Sequence, residues 1–230
     1  MIQLSKELMH SFVAAAVQPM KPYYQLTPGR HYHTLQHIQN MLELCLEHAD
    51  NLGKLYPVLT TADGFKQLIT AILWHDVDYR PGDQGNEIRA ADLYMTHSGK
   101  DADIVVGKAI LSTMIGNAIF NNAVELVLHD LDYSNFLNEH KMAEAEEQLY
   151  QEYLDMIHPG GADPTLEDRR DFLKRQRLFY YTLPDSGIFV SLFVEHNERA
   201  KINAANRIRS LSDAIDLCEE AIAKYNNCPF

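Results

Sequence analysis

Arg30-His31-Tyr32-His33-Thr34-Leu35-Gln36-His37-Ile38 is the stretch on which the fold turns. His33 and His37 are spaced i, i+4, which on a helix sets both rings on one face a few ångströms apart. Thr34 suits the N-cap of that helix, unless the cap lies earlier. From Thr34 to about Asn51, Leu35, Ile38, Met41, Leu42, Cys45 and Leu46 recur at helical spacing and mark an inner face. An i, i+4 histidine pair on its own is also compatible with ordinary surface or core-capping residues. What raises it is the company it keeps.

Two more segments carry the same residue types. Ala71-Ile-Leu-Trp-His75-Asp76-Val-Asp78 ends an apolar run, and Val127-Leu-His129-Asp130-Leu-Asp132-Tyr-Ser-Asn135 ends another. A carboxylate beside a buried apolar run needs a partner, and a metal ion is one. Helix capping or a turn is the plainer account of Asp130 and Asp132. Glu87, just after Pro81-Gly82, can return toward the same place or merely offset a helix dipole. The three segments together suggest one buried site for a divalent metal bound by nitrogen and oxygen. No cysteine belongs to it, which disfavours structural zinc and suits Mn, Fe, Co, Ni, Zn or Mg.

Working outward, the chain is helical almost throughout. Residues 5–17 set Leu8, Met9, Phe12, Val13 and Ala16 on one stripe. Asp63 is the expected cap of a helix carrying Phe65, Leu68, Ile69, Ile72 and Leu73, which ends near His75-Asp76. Asn86 to about Thr96, Asp103 to Met114 (helix in preference to strand) and Val124 to Asp132 follow. Lys141 to Ile157 is expected to turn Ala143, Leu149, Tyr153 and Met156 inward. After the loop His158-Pro-Gly-Gly-Ala-Asp-Pro164 come Thr165 to about Tyr181, Ser186 to Ala200 and Asn203 to Tyr225. No alternating run calls for a sheet. The expectation is an all-α single domain over residues 1–230, a helical bundle with its core at about 28–205 and C-terminal helices completing it or appended to it.

Composition narrows the function. The 230 residues are 46% hydrophobic and carry a formal charge of −12. That supports a full core and argues against a nucleic-acid or anionic-membrane surface. An anionic small substrate remains compatible, because a bound cation supplies local positive charge. Three unevenly spaced cysteines, Cys45, Cys218 and Cys228, without a C-x-x-C, suit a reducing, cytoplasmic setting. No secretory signal and no apolar run of the roughly 20 residues a membrane helix needs is visible. Oligomeric state is not legible.

These motifs, taken as a set, resemble the HD superfamily of metal-dependent phosphohydrolases. Tyr32-His33-Thr34-Leu35-Gln36-His37-Ile38 is similar to the Tyr-His-Asn-x-x-His-Ala motif of cyclic-nucleotide phosphodiesterases. His129 to Asn135 is similar to their His-Cys-Ala-Asp-Leu-Ser-Asn segment. The closer resemblance is to a bacterial family of predicted metal-dependent HD phosphohydrolases, over roughly residues 28–205. Its motifs match Arg30 to Ile38, Trp74 to Tyr79, Gln84 to Ala91, Asp130 to Tyr133 and Glu198 to Asn203. Thr34 and Trp74 stand where that family has Asn and Phe. Thr113-Met-Ile-Gly-Asn117 lacks a histidine often found there, which counts against a second fully liganded ion.

The resemblance implies an HD-domain bundle and a metal-dependent phosphohydrolase. His37, His75, Asp76 and Asp132 would be the ligands, with Asp132 preferred to Asp130, and Asp76 able to bridge to a second ion. His33 would be the proton donor. Glu87 would orient or deprotonate water, and Arg30 or Arg89 would contact phosphate. The expected substrate is a small phosphate ester of nucleotide-like chemistry. The same resemblance admits two rivals, a regulatory or ligand-binding HD module with little catalysis and a di-iron oxygenase.

Overall fold

The computed structural model describes residues 4–25, 28–114, 119–184 and 187–226. Among them there are helices and connecting turns but no strand. They divide into two compact units. The first comprises Met1–Ser134 with Phe189–Val194, the second Asn135–Ile188 with Glu195–Phe230.

The first unit is built around helix α5, Ala62–Trp74, whose Phe65, Leu68, Ala71 and Ile72 are wholly enclosed. Around it pack α1 (Lys6–Val17), α3 (Leu35–Glu47), α7 (Ile104–Ser112) and α8 (Ala123–Asp132). The short α2 (Lys21–Gln25), α4 (Ala49–Leu55) and α6 (Asn86–Ser98) complete it. Helix α5 starts on Thr61, whose hydroxyl accepts from the Gly64 N–H, so Asp63 is a first-turn residue and not the cap. Gly64 is required there. A Cβ on it would meet the Val58 carbonyl oxygen at 2.0 Å, closer than any real contact.

Helix α3 does begin on Thr34, which accepts from the His37 N–H. It ends sooner than Asn51. His48, at φ −92° and ψ 13°, leaves helical geometry, and α4 starts at Ala49. The α1 stripe is also only partly inward, because Met9 and Val17 are buried while Leu8 and Phe12 are exposed. Residues 104–112 are helical, with Asp103 as their cap.

The second unit holds α9 (Glu139–Ile157), α10 (Leu166–Tyr181) and α11 (Asn197–Asn226). Helix α9 presents Met142, Ala145, Glu146, Tyr150, Glu152 and Leu154 to the interior, a face rotated from the expected one. The cause is electrostatic. Glu146 is drawn in by a two-point contact with Arg207 and by the Tyr180 hydroxyl, 2.7 Å away. Periodicity assigns glutamate outward and cannot anticipate such a partner.

The helix expected from Ser186 to Ala200 does not form, with Ser186 itself outside the described residues. Residues 187–193 are irregular, a 3-10 turn covers Val194–His196, and α11 then runs unbroken to Asn226. The Val190, Ser191 and Phe193 N–H groups go to the Asp130 carboxylate and not to carbonyls one turn back. No helix among the described residues is long and apolar enough to cross a membrane.

Candidate metal centre

Three helix ends of the first unit meet at one place. His37 lies in the first turn of α3, His75 and Asp76 follow the last residue of α5, and Asp132 closes α8. Nε2 of His37 is 3.2 Å from Oδ1 of Asp132 and 3.8 Å from Oδ2 of Asp76. Nε2 of His75 is 3.1 Å from that Asp76 oxygen and 3.7 Å from the Asp132 oxygen. One donor atom each from His37, His75 and Asp132 falls within 4.8 Å of the others. Tetrahedral or octahedral donors at bond lengths of about 2.0–2.2 Å lie about 2.8–3.6 Å from their neighbours. The observed separations sit close to that range.

His75 is presented to the site by its own helix. Its Nδ1 lies 2.9 Å from the Ile72 carbonyl, which only accepts, so Nδ1 carries a hydrogen and Nε2 is the ring nitrogen turned inward. That Nε2 and Asp76 Oδ2 are buried and close, yet neither makes a hydrogen bond of proper direction. Buried polar atoms are nearly always paired, and two orphans pointing at one spot are what a cation resolves. Two imidazoles and two carboxylates, without a thiolate, form a donor set suited to a borderline or hard divalent ion.

The charges are interdependent. Burial works against a protonated His75, but the Asp76 and Asp132 carboxylates beside it hold its pKa well above the usual value. Burial pushes Asp76 up, and the imidazoles of His75 and His33 outweigh it, bringing the carboxyl down to about 2. Asp132 is held far below the ordinary range, against burial, by the hydrogen bond from His37 and by His75. Protons here occupy the role that a cation takes when ligands are deprotonated.

Glu87, in the first turn of α6, is half-buried. Its pKa is raised by burial and then by the Asp76 and Asp132 charges. Asn86 sets that turn, accepting from the Arg80 N–H and donating to the Arg80 carbonyl. His33 lies outside α3, before the Thr34 cap, so it does not share a helical face with His37. The two rings are 6.5 Å apart, and His33 instead stacks on Tyr79 at 3.5 Å.

The two arginines expected at phosphate have other acceptors. Arg30 donates to the Asp76 carbonyl at 3.0 Å and the Val77 carbonyl at 2.9 Å. It thereby satisfies the chain leaving α5, where helix ends leave carbonyls without partners. Arg89 reaches Asp83 at 2.8 Å and Asp78 at 3.4 Å, and also contacts Asn86. Asn117 lies outside the described residues.

Asp130 and Asp132 diverge although two residues apart. Asp132 turns to the histidines, and Asp130, fully buried, gathers three backbone N–H groups of residues 190–193. Sequence reasoning weighed Asp130 only as a ligand or a cap. Tyr24 was missed too. Its buried hydroxyl donates to the Leu73 carbonyl, and its ring lies under Arg30. Nothing in the local sequence signals the Leu73 contact, since that partner is remote in the chain.

No family model, curated protein or solved structure matches this chain. What stands is an all-helical fold with a buried His37, His75 and Asp132 cluster that can hold a metal ion.

Proposed function

We propose that this protein is a metal-dependent phosphohydrolase of the HD type, acting on a small phosphate ester of nucleotide-like chemistry. The observation that carries the proposal is the convergence of His37, His75, Asp76 and Asp132, with two of their buried atoms lacking hydrogen bonds. A divalent ion held by these four residues supplies an acidified water and neutralises phosphate charge.

The chain's own residues do the rest. Glu87, its pKa raised by burial and by the Asp76 and Asp132 charges, orients the attacking water and takes its proton. His33, held in plane by Tyr79 and close enough for its charge to act on Asp76, delivers a proton to the leaving oxygen. Arg30 and Arg89 support the two turns that carry Asp76 and Glu87.

The test is a panel of phosphomonoesters, phosphodiesters and nucleotides with Mn, Co, Ni or Mg, run on the wild type and Asp76→Ala. The expected result is metal-dependent turnover that the substitution abolishes. Unchanged metal content and turnover in Asp76→Ala would sink the assignment. Nucleotide binding without turnover would favour a regulatory module, and oxygen uptake with bound iron an oxygenase.

A further inference from the structure

We propose that Asp130 is a positioning residue of the metal centre, and that residues 189–194 are the strut it uses. The inference rests on the metal-binding reading above. Oδ1 of Asp130 accepts from the Val190 N–H at 2.8 Å, and Oδ2 from the Ser191 and Phe193 N–H groups at 2.9 and 3.0 Å. Nδ1 of His129 lies 3.3 Å from Oδ1. The carboxylate has no solvent exposure. Three backbone donors on one buried carboxylate make a rigid joint, because hydrogen bonds to a charged acceptor are the strong ones.

The joint sits where the metal centre is most in need of support. Asp130 and Asp132 share the final turn of α8, after which α-helical geometry gives way to a 3-10 turn over Tyr133–Leu137. A helix end frays unless something holds it. Asp130 binds this turn to a segment that is itself anchored. The Ser191 hydroxyl donates to the Tyr56 hydroxyl at 3.0 Å, and the Phe193 ring packs edge-on against His48 at 5.1 Å and Phe189 at 5.4 Å. His48 caps the end of α3, the helix whose first turn carries His37. The strut thus ties the helix that carries Asp132 to the helix that carries His37, the pair whose donor atoms are 3.2 Å apart.

Linkage makes the relation reciprocal: whatever holds the strut in place favours metal, and metal must favour the docked strut. Residues that orient ligands from behind typically alter metal affinity by about 10–100-fold when replaced.

Mn binding by calorimetry and the visible spectrum of the Co-loaded protein, both well below the unfolding temperature, test this on Asp130→Asn and Ser191→Pro. Ser191→Pro removes one strut donor without touching α8. Both variants should bind Mn about 10–100-fold more weakly and shift the Co bands. Hydrogen exchange at the Val190, Ser191 and Phe193 amides of the wild type should slow when Mn is added, a readout that survives even if Asp130→Asn does not fold. Wild-type affinity and Co bands in a folded variant, or exchange indifferent to Mn, would overturn the proposal and leave Asp130 a staple of the fold alone. If the wild type binds Mn no better than Asp132→Ala, the metal reading itself falls and takes this inference with it.

Discussion

Nδ1 of His75 is tethered at 2.9 Å to the carbonyl of Ile72, one turn back in its own helix. The tether leaves Nε2 aimed at the carboxylates of Asp76 and Asp132, 3.1 and 3.7 Å away. Helix geometry and a ligand's orientation are here the same fact. In metal-binding histidines such a contact through the other nitrogen is the usual support.

The two histidines of the opening motif should therefore separate by experiment. His37→Ala and His75→Ala each delete a donor from the cluster and should lose metal. His33→Ala removes a ring stacked on Tyr79, outside the cluster, and should keep metal while losing turnover. Elemental analysis beside an activity assay checks this. Equal metal loss in His33→Ala and His37→Ala contradicts the division.

Metal should stabilise the first unit. At free ion about a hundredfold above the dissociation constant, linkage gives about 2.7 kcal/mol. For a chain of this size that is a rise of roughly 5–10 °C. Trp74, the single tryptophan, adjoins His75, so its fluorescence reports the melting of this unit. Asp132→Ala should show no metal-dependent shift. A shift of equal size in the variant counts against these ligands.

Acid should weaken the second unit through Asp168. Its carboxylate accepts from His158 at 2.9 Å and from the Thr165 N–H at 2.9 Å, contacts that hold its pKa at about 2. Because the folded value lies below the ordinary 3.8, the stabilisation is present above about pH 4 and lost as pH falls toward 2. With the group partly exposed, about 1–2 kcal/mol is the expected size. Urea unfolding of wild type and Asp168→Asn should show a stability gap near pH 5 that narrows progressively as pH falls toward 2. Acid effects at Asp76 and Asp132 are common to both proteins and cancel in the difference. A gap constant with pH contradicts the account.

Arg207 and Glu146 should behave as a unit. Arg207→Ala leaves Glu146, only 5% exposed, without its cation, and should cost about 3–5 kcal/mol by chemical denaturation. The paired change Glu146→Leu with Arg207→Met should cost far less, since the burial penalty leaves with both charges. Additive losses in the double variant would show that the two do not depend on each other.

Much of the site was legible because its residues stand at the ends of strongly periodic apolar runs. Ile72 and Leu73 before His75, and Leu128 and Leu131 beside Asp132, announce buried helix termini, where a polar side chain needs a reason. What failed in sequence reading failed where a partner is remote. Glu146 is inside because of Arg207, and residues 190–193 are not helical because Asp130 takes the Val190, Ser191 and Phe193 N–H groups. The partners that Arg30 and Arg89 have in the fold were likewise hidden, because a sequence does not show which oxygens lie near a guanidinium.

By itself, then, the sequence determined an all-helical chain with histidines and aspartates gathered at buried helix ends, since period and apolarity are local properties. Only the tertiary structure decided which of two neighbouring aspartates meets the histidines. Asp132 turns to His37 while Asp130 turns to residues 190–193, sixty or so positions away in the chain. The physical reason is that a carboxylate follows its nearest donors, and those donors are brought to it by folding.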